Sequence, residues 1–290
     1  MLSILIPVYN YSVEALVSQL ADQLAVEKIH FEILLLDDHS TRFSDQYVKY
    51  ENLDKVFVLK SDENLGRSKA RNVLADQAQH DLLLFLDCDS LPVRDNFIKT
   101  YLSHAEEKKV LVGGTRYKEE YAPSERLHWL YGTKRESLDQ AGFHSNNFLI
   151  ARQDFLQIRF DESLTQYGHE DTLLGIHLKE KGIQLERIDN PVFHCGLVDN
   201  ETFLKKALLA VENAWDLIEA GKIEADDIRL IKTYSKWTKS IQGKLLLEFI
   251  RKNKSRWEKI CLSEKPRLFA LDFLKICKLD ELKQNRSLAD

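Results

Sequence analysis

Short unbroken runs of apolar residues, each closed by polar ones, recur along the N-terminal part of the chain. The clearest is Leu82-Leu83-Leu84-Phe85-Leu86, which runs into Asp87-Cys88-Asp89-Ser90. An apolar run without alternation predicts a strand covered on both faces of a parallel sheet. Leu2–Val8, Phe31–Leu36 and Val56–Leu59 read the same way, with Pro7 near the end of its strand because it cannot donate to a ladder. Between them, Val13, Leu16, Val17, Leu20 and Leu24 recur at helical spacing over Val13–Ala25, and a second helix opens near Gly66 and runs toward Ala78. Strands alternating with helices predict a doubly wound α/β sheet.

Farther along, Phe97–His104 is amphipathic, and Val110–Gly114, Phe148–Ala151 and Ile183–Ile188 read as strands. Gly113-Gly114 permits close backbone approach to a ligand. Residues 117–142 are polar and aromatic without a period, which predicts a loop-rich insertion. Leu173, Leu174, Ile176 and Leu178 mark a helix with Glu170 and Asp171 in its first turn, Lys179 and Lys181 in its last, and Gly182 as its C′ residue. Phe203–Ala220 is strongly helical and Gly221 ends it.

Composition narrows the class. The chain has 290 residues, 44% hydrophobic and 30% charged, the balance of a globular protein with a sizeable core. No apolar run is long enough to span a bilayer and no basic segment precedes the first strand, so neither a membrane span nor a signal peptide is expected. The four cysteines, Cys88, Cys195, Cys261 and Cys277, show no C-x-x-C or zinc spacing, as expected for reduced thiols of a cytoplasmic protein. Charge is split: residues 1–200 carry 22 Lys/Arg against 32 Asp/Glu, whereas residues 201–290 carry 19 against 14. Such a split points to a second surface with a different partner.

The chemistry collects where the strands end. Open α/β sheets bind ligands at the carboxyl ends of their strands. If strand geometry persists past Leu86, Asp87 and Asp89 project to one side and can hold a hard divalent cation that bridges a diphosphate. Tyr9 offers a ring for base stacking, and Asp38 can accept from a base N–H or a ribose hydroxyl. Arg67, Lys69 and Arg71, after the turn at Gly66, can face phosphate. Taken singly, each has a plainer explanation: a packed ring, a helix cap, a solvated helix face.

Together, Ile4-Leu5-Ile6-Pro7-Val8-Tyr9-Asn10, Asp37-Asp38-His39-Ser40, Asn64-Leu65-Gly66 with Ala70-Arg71-Asn72, and Leu86-Asp87-Cys88-Asp89 resemble the successive motifs of family 2 glycosyltransferases. The resemblance runs from residue 2 to about residue 196. It implies a GT-A fold: Rossmann-like, with a mostly parallel central sheet flanked by helices. It implies an inverting hexosyl- or N-acetylhexosaminyl-transferase that uses a nucleotide-diphosphate sugar, a UDP-sugar above others, and Mn²⁺ or Mg²⁺. On this resemblance Pro7, Tyr9, Asp38, Asn64, Gly66, Arg67, Arg71 and Asp87 belong to the donor site, and Asn146 and Asn147 lie beside the donor sugar. Asp87 and Asp89 hold the metal, with His194 as a further ligand. Tyr167-Gly168-His169-Glu170-Asp171 resembles the Glu-Asp motif of inverting members, Asp171 being the catalytic base and Glu170 orienting the acceptor. The family usually has Trp where this chain has Tyr167.

These expectations divide the chain into a GT-A domain, residues 1–198, and an α-helical C-terminal extension, residues 199–290. Residues 229–259 hold ten Lys/Arg against Glu248 and Glu258, interleaved with Trp237, Trp257 and Leu245–Leu247. A helix of that kind can lie on the anionic inner face of a membrane or pack, with a solvated face, on its own domain. The expected acceptor is a glycan or lipid-linked glycan of cell-surface polysaccharide synthesis, and nucleic acid is not expected. Two other functions stay open from the residues: a catalytically silent nucleotide- or glycan-binding module, and a sugar-phosphate nucleotidylyltransferase. The latter needs a Gly-rich basic loop where this chain has Pro7-Val8-Tyr9-Asn10-Tyr11.

Overall fold

The computed structural model describes residues 1–138, 142–164 and 167–286. In chain order the strands are β1 (Leu2–Val8), β2 (Phe31–Asp37), β3 (Val56–Lys60), β4 (Leu82–Leu86), β5 (Ser90–Pro92), β6 (Lys109–Val112), β7 (Thr115–Arg116), β8 (Asn147–Ala151), β9 (Gln184–Arg187) and β10 (Val192–His194). The α-helices are α1 (Glu14–Val26), α2 (Ser44–Tyr47), α3 (Gly66–Gln77), α4 (Phe97–His104), α5 (Arg126–Lys134), α6 (Arg152–Ile158), α7 (Glu170–Glu180), α8 (Asn200–Glu219), α9 (Arg229–Lys239), α10 (Ile241–Lys252), α11 (Lys254–Leu262) and α12 (Leu268–Arg286).

The chain forms two compact units. The first comprises residues 1–118, 136–165 and 170–196, and the second residues 119–135, 166–169 and 197–290. In the first, seven strands lie in the order β3-β2-β1-β4-β8-β6-β9. The pairs from β3 to β4 are parallel, β8 runs antiparallel to both neighbours, and β6 and β9 are parallel. A small sheet, β5-β10-β7, follows the end of β4.

The apolar runs form central strands because alternate residues serve opposite layers. Leu2, Ile4, Ile6 and Val8 of β1 pack with Leu16, Val17 and Leu20 of α1 and with Phe97, Ile98 and Tyr101 of α4. Leu5 points the other way, into a layer with Ala70 and Leu74 of α3, Phe155 of α6, and Leu174 and Leu178 of α7. Each fully buried leucine contributes about 1.5–3 kcal/mol, so strands covered on both faces are apolar almost throughout; the buried polar pair in them is satisfied internally, Ser3 Oγ donating to Glu32 Oε1 at 2.6 Å. Pro7 stands opposite Leu36 of β2, beyond the β4 ladder, which pairs only with Leu2–Leu5.

The second unit is helical. Phe203, Leu204, Val211, Ile231, Tyr234, Ile250, Trp257, Leu271 and Leu274 share one core with Leu127 of α5. Two expectations change here. Residues 117–142 are not simply loop, because Arg126–Lys134 is helical and packs into this core; 139–141 lie outside the described residues. The basic stretch 229–259 forms three helices, and Trp257 is buried with Nε1 donating to the Ile250 carbonyl at 3.0 Å.

Candidate active site

Within the first unit the strand ends are tied together by their own loops. Asn10, at φ +52, accepts from the Thr41 and Arg42 N–H groups at 2.9 and 2.8 Å, which fixes the turn after β2. The Tyr9 ring beside it is half exposed. Asp38 is buried, and its carboxylate accepts from the backbone N–H groups of Leu65 and Gly66 at 2.6 and 3.1 Å. Asn64 donates to the Asp38 carbonyl at 3.2 Å. Asp38 therefore clamps the start of α3, and burial holds its carboxyl above the usual carboxylate range.

The first turn of α3 presents Arg67, whose side chain is half exposed. One turn on, Arg71 is among the most deeply buried side chains. Its Nη2 donates to Asp87 Oδ1 at 2.5 Å, its Nη1 to the Arg67 carbonyl at 3.4 Å, and the guanidinium lies over the Phe160 ring. A buried arginine needs such partners to offset desolvation. This pairing fixes α3 to the end of β4 and occupies one oxygen of Asp87.

The chain leaves strand geometry at Leu86, turns through 87–89 and re-enters a strand at Ser90. The two carboxylates accordingly take different partners, rather than sharing a side as an extended strand would require. Asp89 lies against β10 and the residues after it: its carbonyl accepts from Cys195 N–H at 2.8 Å, and its Oδ1 is 3.5 Å from His194 Nδ1. That Oδ1 is buried and accepts no hydrogen bond among the described residues. Burial works against charge on both partners, but their attraction outweighs it. Asp89 is held below its ordinary pKa, with help from Arg67, and His194 above its own. A Cβ on Gly196 would stand 2.0 Å from Asp89 Oδ2. Burial and the nearby Asp89 charge raise Tyr11 well above an ordinary phenol.

No group of three His, Cys, Asp or Glu side chains among the described residues forms a cluster able to hold a metal ion. What does fit a divalent cation is the donor chemistry of the Asp89–His194 pair, where a buried carboxylate oxygen accepting no hydrogen bond lies beside an imidazole.

Asn146 and Asn147 divide in role. Asn146 Nδ2 donates to Thr115 Oγ1 at 2.7 Å, in a half-buried position. Asn147 is fully buried: its Nδ2 donates to the carbonyls of Gly114 and Asn190, each at 3.0 Å, and its Oδ1 accepts from Tyr101 Oη at 2.7 Å. A Cβ on Gly113 would lie 2.2 Å from the Asn190 carbonyl oxygen. The close approach that Gly113 permits is thus to this internal polar knot and not to a ligand.

Glu170 and Asp171 open α7. Glu170 is buried, with Oε1 3.5 Å from Arg67 Nη1 and Oε2 accepting no hydrogen bond among the described residues. Asp171 is half-buried: Oδ1 accepts from Thr172 N–H at 2.7 Å, and Oδ2 lies 3.8 Å from His144 Nδ1. A carboxylate fixed through one oxygen at a helix start, with the other facing an imidazole, is suited to accept a proton. In the second unit, Tyr167-Gly168 packs on α8, with Asn213 donating to the Gly168 carbonyl and Lys206 over the Tyr167 ring.

The model of the family described as "Glycosyl transferase family 2" matches residues 3–161. The chain belongs to this family. Similar proteins include an uncharacterized glycosyltransferase, YfnE, of Bacillus subtilis, 25% identical over 239 residues, which are 62% of this chain and 61% of that protein. The poly(ribitol-phosphate) β-N-acetylglucosaminyltransferase TarS of Staphylococcus aureus is 36% identical over 92 residues, 30% of this chain and 16% of TarS. The chain therefore spans less than two-thirds of these relatives. Among solved structures, S. aureus TarS 1–349 in complex with UDP has a TM-score of 0.53 at 19% identity, covering 100% of this chain and 92% of that one. The mannosyltransferase PcManGT of Pyrobaculum calidifontis with GDP-Man and Mn²⁺ has a TM-score of 0.57 at 13% identity, covering 97% and 86%. The family 2 protein thus has the GT-A fold, a mostly parallel central sheet followed by a helical region.

His144 facing Asp171 and Gly196 against Asp89 were not singled out by sequence reasoning. For Gly196 the signal was its position two residues after His194; His144 carried none.

Proposed function

We propose that this chain is an inverting glycosyltransferase that moves a sugar from a UDP-sugar to a hydroxyl of a glycan or lipid-linked glycan acceptor. The observation that carries the reading is Asp171, a half-buried carboxylate at the start of α7 with one oxygen fixed by Thr172 N–H and the other toward His144. In this reading the acceptor oxygen attacks the anomeric carbon and forms the new C–O bond. The bond from that carbon to the diphosphate breaks with its electron pair leaving on the phosphate oxygen. The hydroxyl proton passes to Asp171. Glu170 orients the acceptor. Tyr9 stacks on the base, Arg67 faces phosphate, and Asn146 faces the donor sugar.

Asp89 and His194 would hold a divalent cation, which supplies charge neutralisation for the departing diphosphate. Asp87 acts here through Arg71, and Asp38 through the start of α3. Solved neighbours of the same fold carry UDP in one case and GDP-Man with Mn²⁺ in another, which supports a nucleotide-diphosphate donor with a metal. The first unit would carry the catalytic residues, and the helical extension expected over 199–290 also takes in residues 119–135 and 166–169.

Thermal melting in the presence of UDP, GDP or CMP, each with and without Mn²⁺, tests the donor reading. A ligand that binds only the folded state stabilises it by mass action, by about 2.7 kcal/mol at a hundredfold excess over Kd, and so raises the melting temperature. The expected result is a UDP shift that requires Mn²⁺ and disappears in Asp89→Ala. No shift with any of the three nucleotides contradicts the proposal and favours another role for the fold.

A further inference from the structure

Helix α10 buries one face and leaves apolar residues on the other. Gly243, Leu247 and Ile250 are buried in the helical core, whereas Ile241, Leu245 and Phe249, spaced by four, are 81%, 63% and 50% exposed. The stripe continues onto α12: Phe249 and Phe269 each lie against the Trp257 ring, at centroid distances of 5.9 and 6.1 Å, and Phe269 is 48% exposed. Cations border it. Lys236, Lys239, Lys244 and Lys259 are exposed and have no acidic partner among the described residues. Lys244 also lines a cavity of about 280 Å³ together with Arg251, Lys283 and Asp280. Asp280 is engaged there by Tyr234 Oη at 2.7 Å, Arg251 at 3.1 Å and Gln284 at 2.9 Å, so the cavity wall is cationic on balance.

We infer that this face docks on an anionic lipid surface, with Ile241, Leu245 and Phe249 entering the boundary between headgroups and acyl chains. The lysines contact the headgroup phosphates. Charge selects lipid over a protein partner. Interfacial membrane helices combine an apolar stripe with lysine-rich flanks, the combination that α10 and its neighbours carry. Anchoring passes from the tryptophans, which the sequence pattern favours, to α10, because Trp257 is spent in the core. No helix of the described residues is long and apolar enough to cross a membrane, so the contact is peripheral.

Co-sedimentation of the full chain with vesicles of phosphatidylcholine alone, or mixed with phosphatidylglycerol, tests this without reference to sugar transfer. Binding is expected only to the mixed vesicles and should weaken as salt rises. The double variant Ile241→Ser, Leu245→Ser, at the two most exposed positions, should reduce it more than tenfold. Lys239→Glu with Lys244→Glu should reduce it by roughly fivefold for each cation removed. Unchanged melting temperatures establish that both variants fold, and UDP binding should be unaffected. Equal binding to both vesicle types, or binding that survives both variants, overturns the inference. So does failure of the wild type to bind vesicles, and self-association abolished by Ile241→Ser, Leu245→Ser would then assign the face to a second copy.

Discussion

Asp89 carries more of the donor reading than Asp87, although the two look equivalent in sequence. The turn at 87–89 separates their partners, so Asp87 is drawn to Arg71 while Asp89 meets His194 and Gly196. No spacing rule distinguishes these outcomes, because the distinction depends on where β4 stops. Gly196 provides a test at this scale. Its missing Cβ leaves room for Asp89 Oδ2, which a methyl group would approach to 2.0 Å. Gly196→Ala should displace the Asp89 carboxylate and weaken Mn²⁺-dependent UDP binding at least tenfold, while the melting temperature of the unliganded protein changes little. Titration calorimetry reads the affinity. Unchanged affinity would separate Asp89 from the metal. Asn147 and Gly113 were legible as special positions, but their use was not. Both serve the knot with Tyr101 and Asn190, whose members lie far apart in the chain.

At the scale of elements, the apolar runs were sufficient for β1 through β4, because strands covered on both faces are apolar almost throughout and even the edge strand β3, with Phe57 half exposed, keeps an apolar run. Helix α7 was legible from both ends: the acidic pair at its start and Gly182, at φ +67, after its last turn. The helix at Arg126–Lys134 was not, because its pattern answers to a core supplied by α8 and α12, remote in sequence. Helix α8 gives a prediction about pH. Asp199 is its N-cap, with Oδ1 accepting from Thr202 N–H at 2.9 Å and Oδ2 from Thr202 Oγ1 at 2.7 Å. These bonds hold its carboxyl below the ordinary aspartate value. Because the folded-state pKa is the lower one, the cap's stabilisation is present above the unfolded-state value and is lost as pH falls through the folded one. Asp199→Ala should therefore cost about 1 kcal/mol at neutral pH, and the cost should shrink as pH falls through the folded-state pKa, which lies below the ordinary aspartate value. Urea melts of the two proteins across pH measure the difference. A cost that does not change with pH would place the effect in packing.

For the whole molecule, the charge split along the chain follows the division into two units. The acidic carboxyl-end machinery belongs to the sheet, and the basic, partly apolar face belongs to the helical unit. Family and fold were legible because the motif order is fixed by the order of strands in a parallel sheet. The sugar and acceptor were not, since a few side chains decide a donor pocket. Release of UDP from a UDP-sugar, with and without acceptor glycan, by wild type and Asp171→Asn tests the central claim most directly. Removing a positioned general base costs about 10²–10⁴ in rate. The wild type should turn over, and Asp171→Asn should lose at least a hundredfold in kcat while its Mn²⁺-dependent affinity for UDP stays the same. Turnover that survives Asp171→Asn would contradict the assignment of the base and the inverting mechanism built on it.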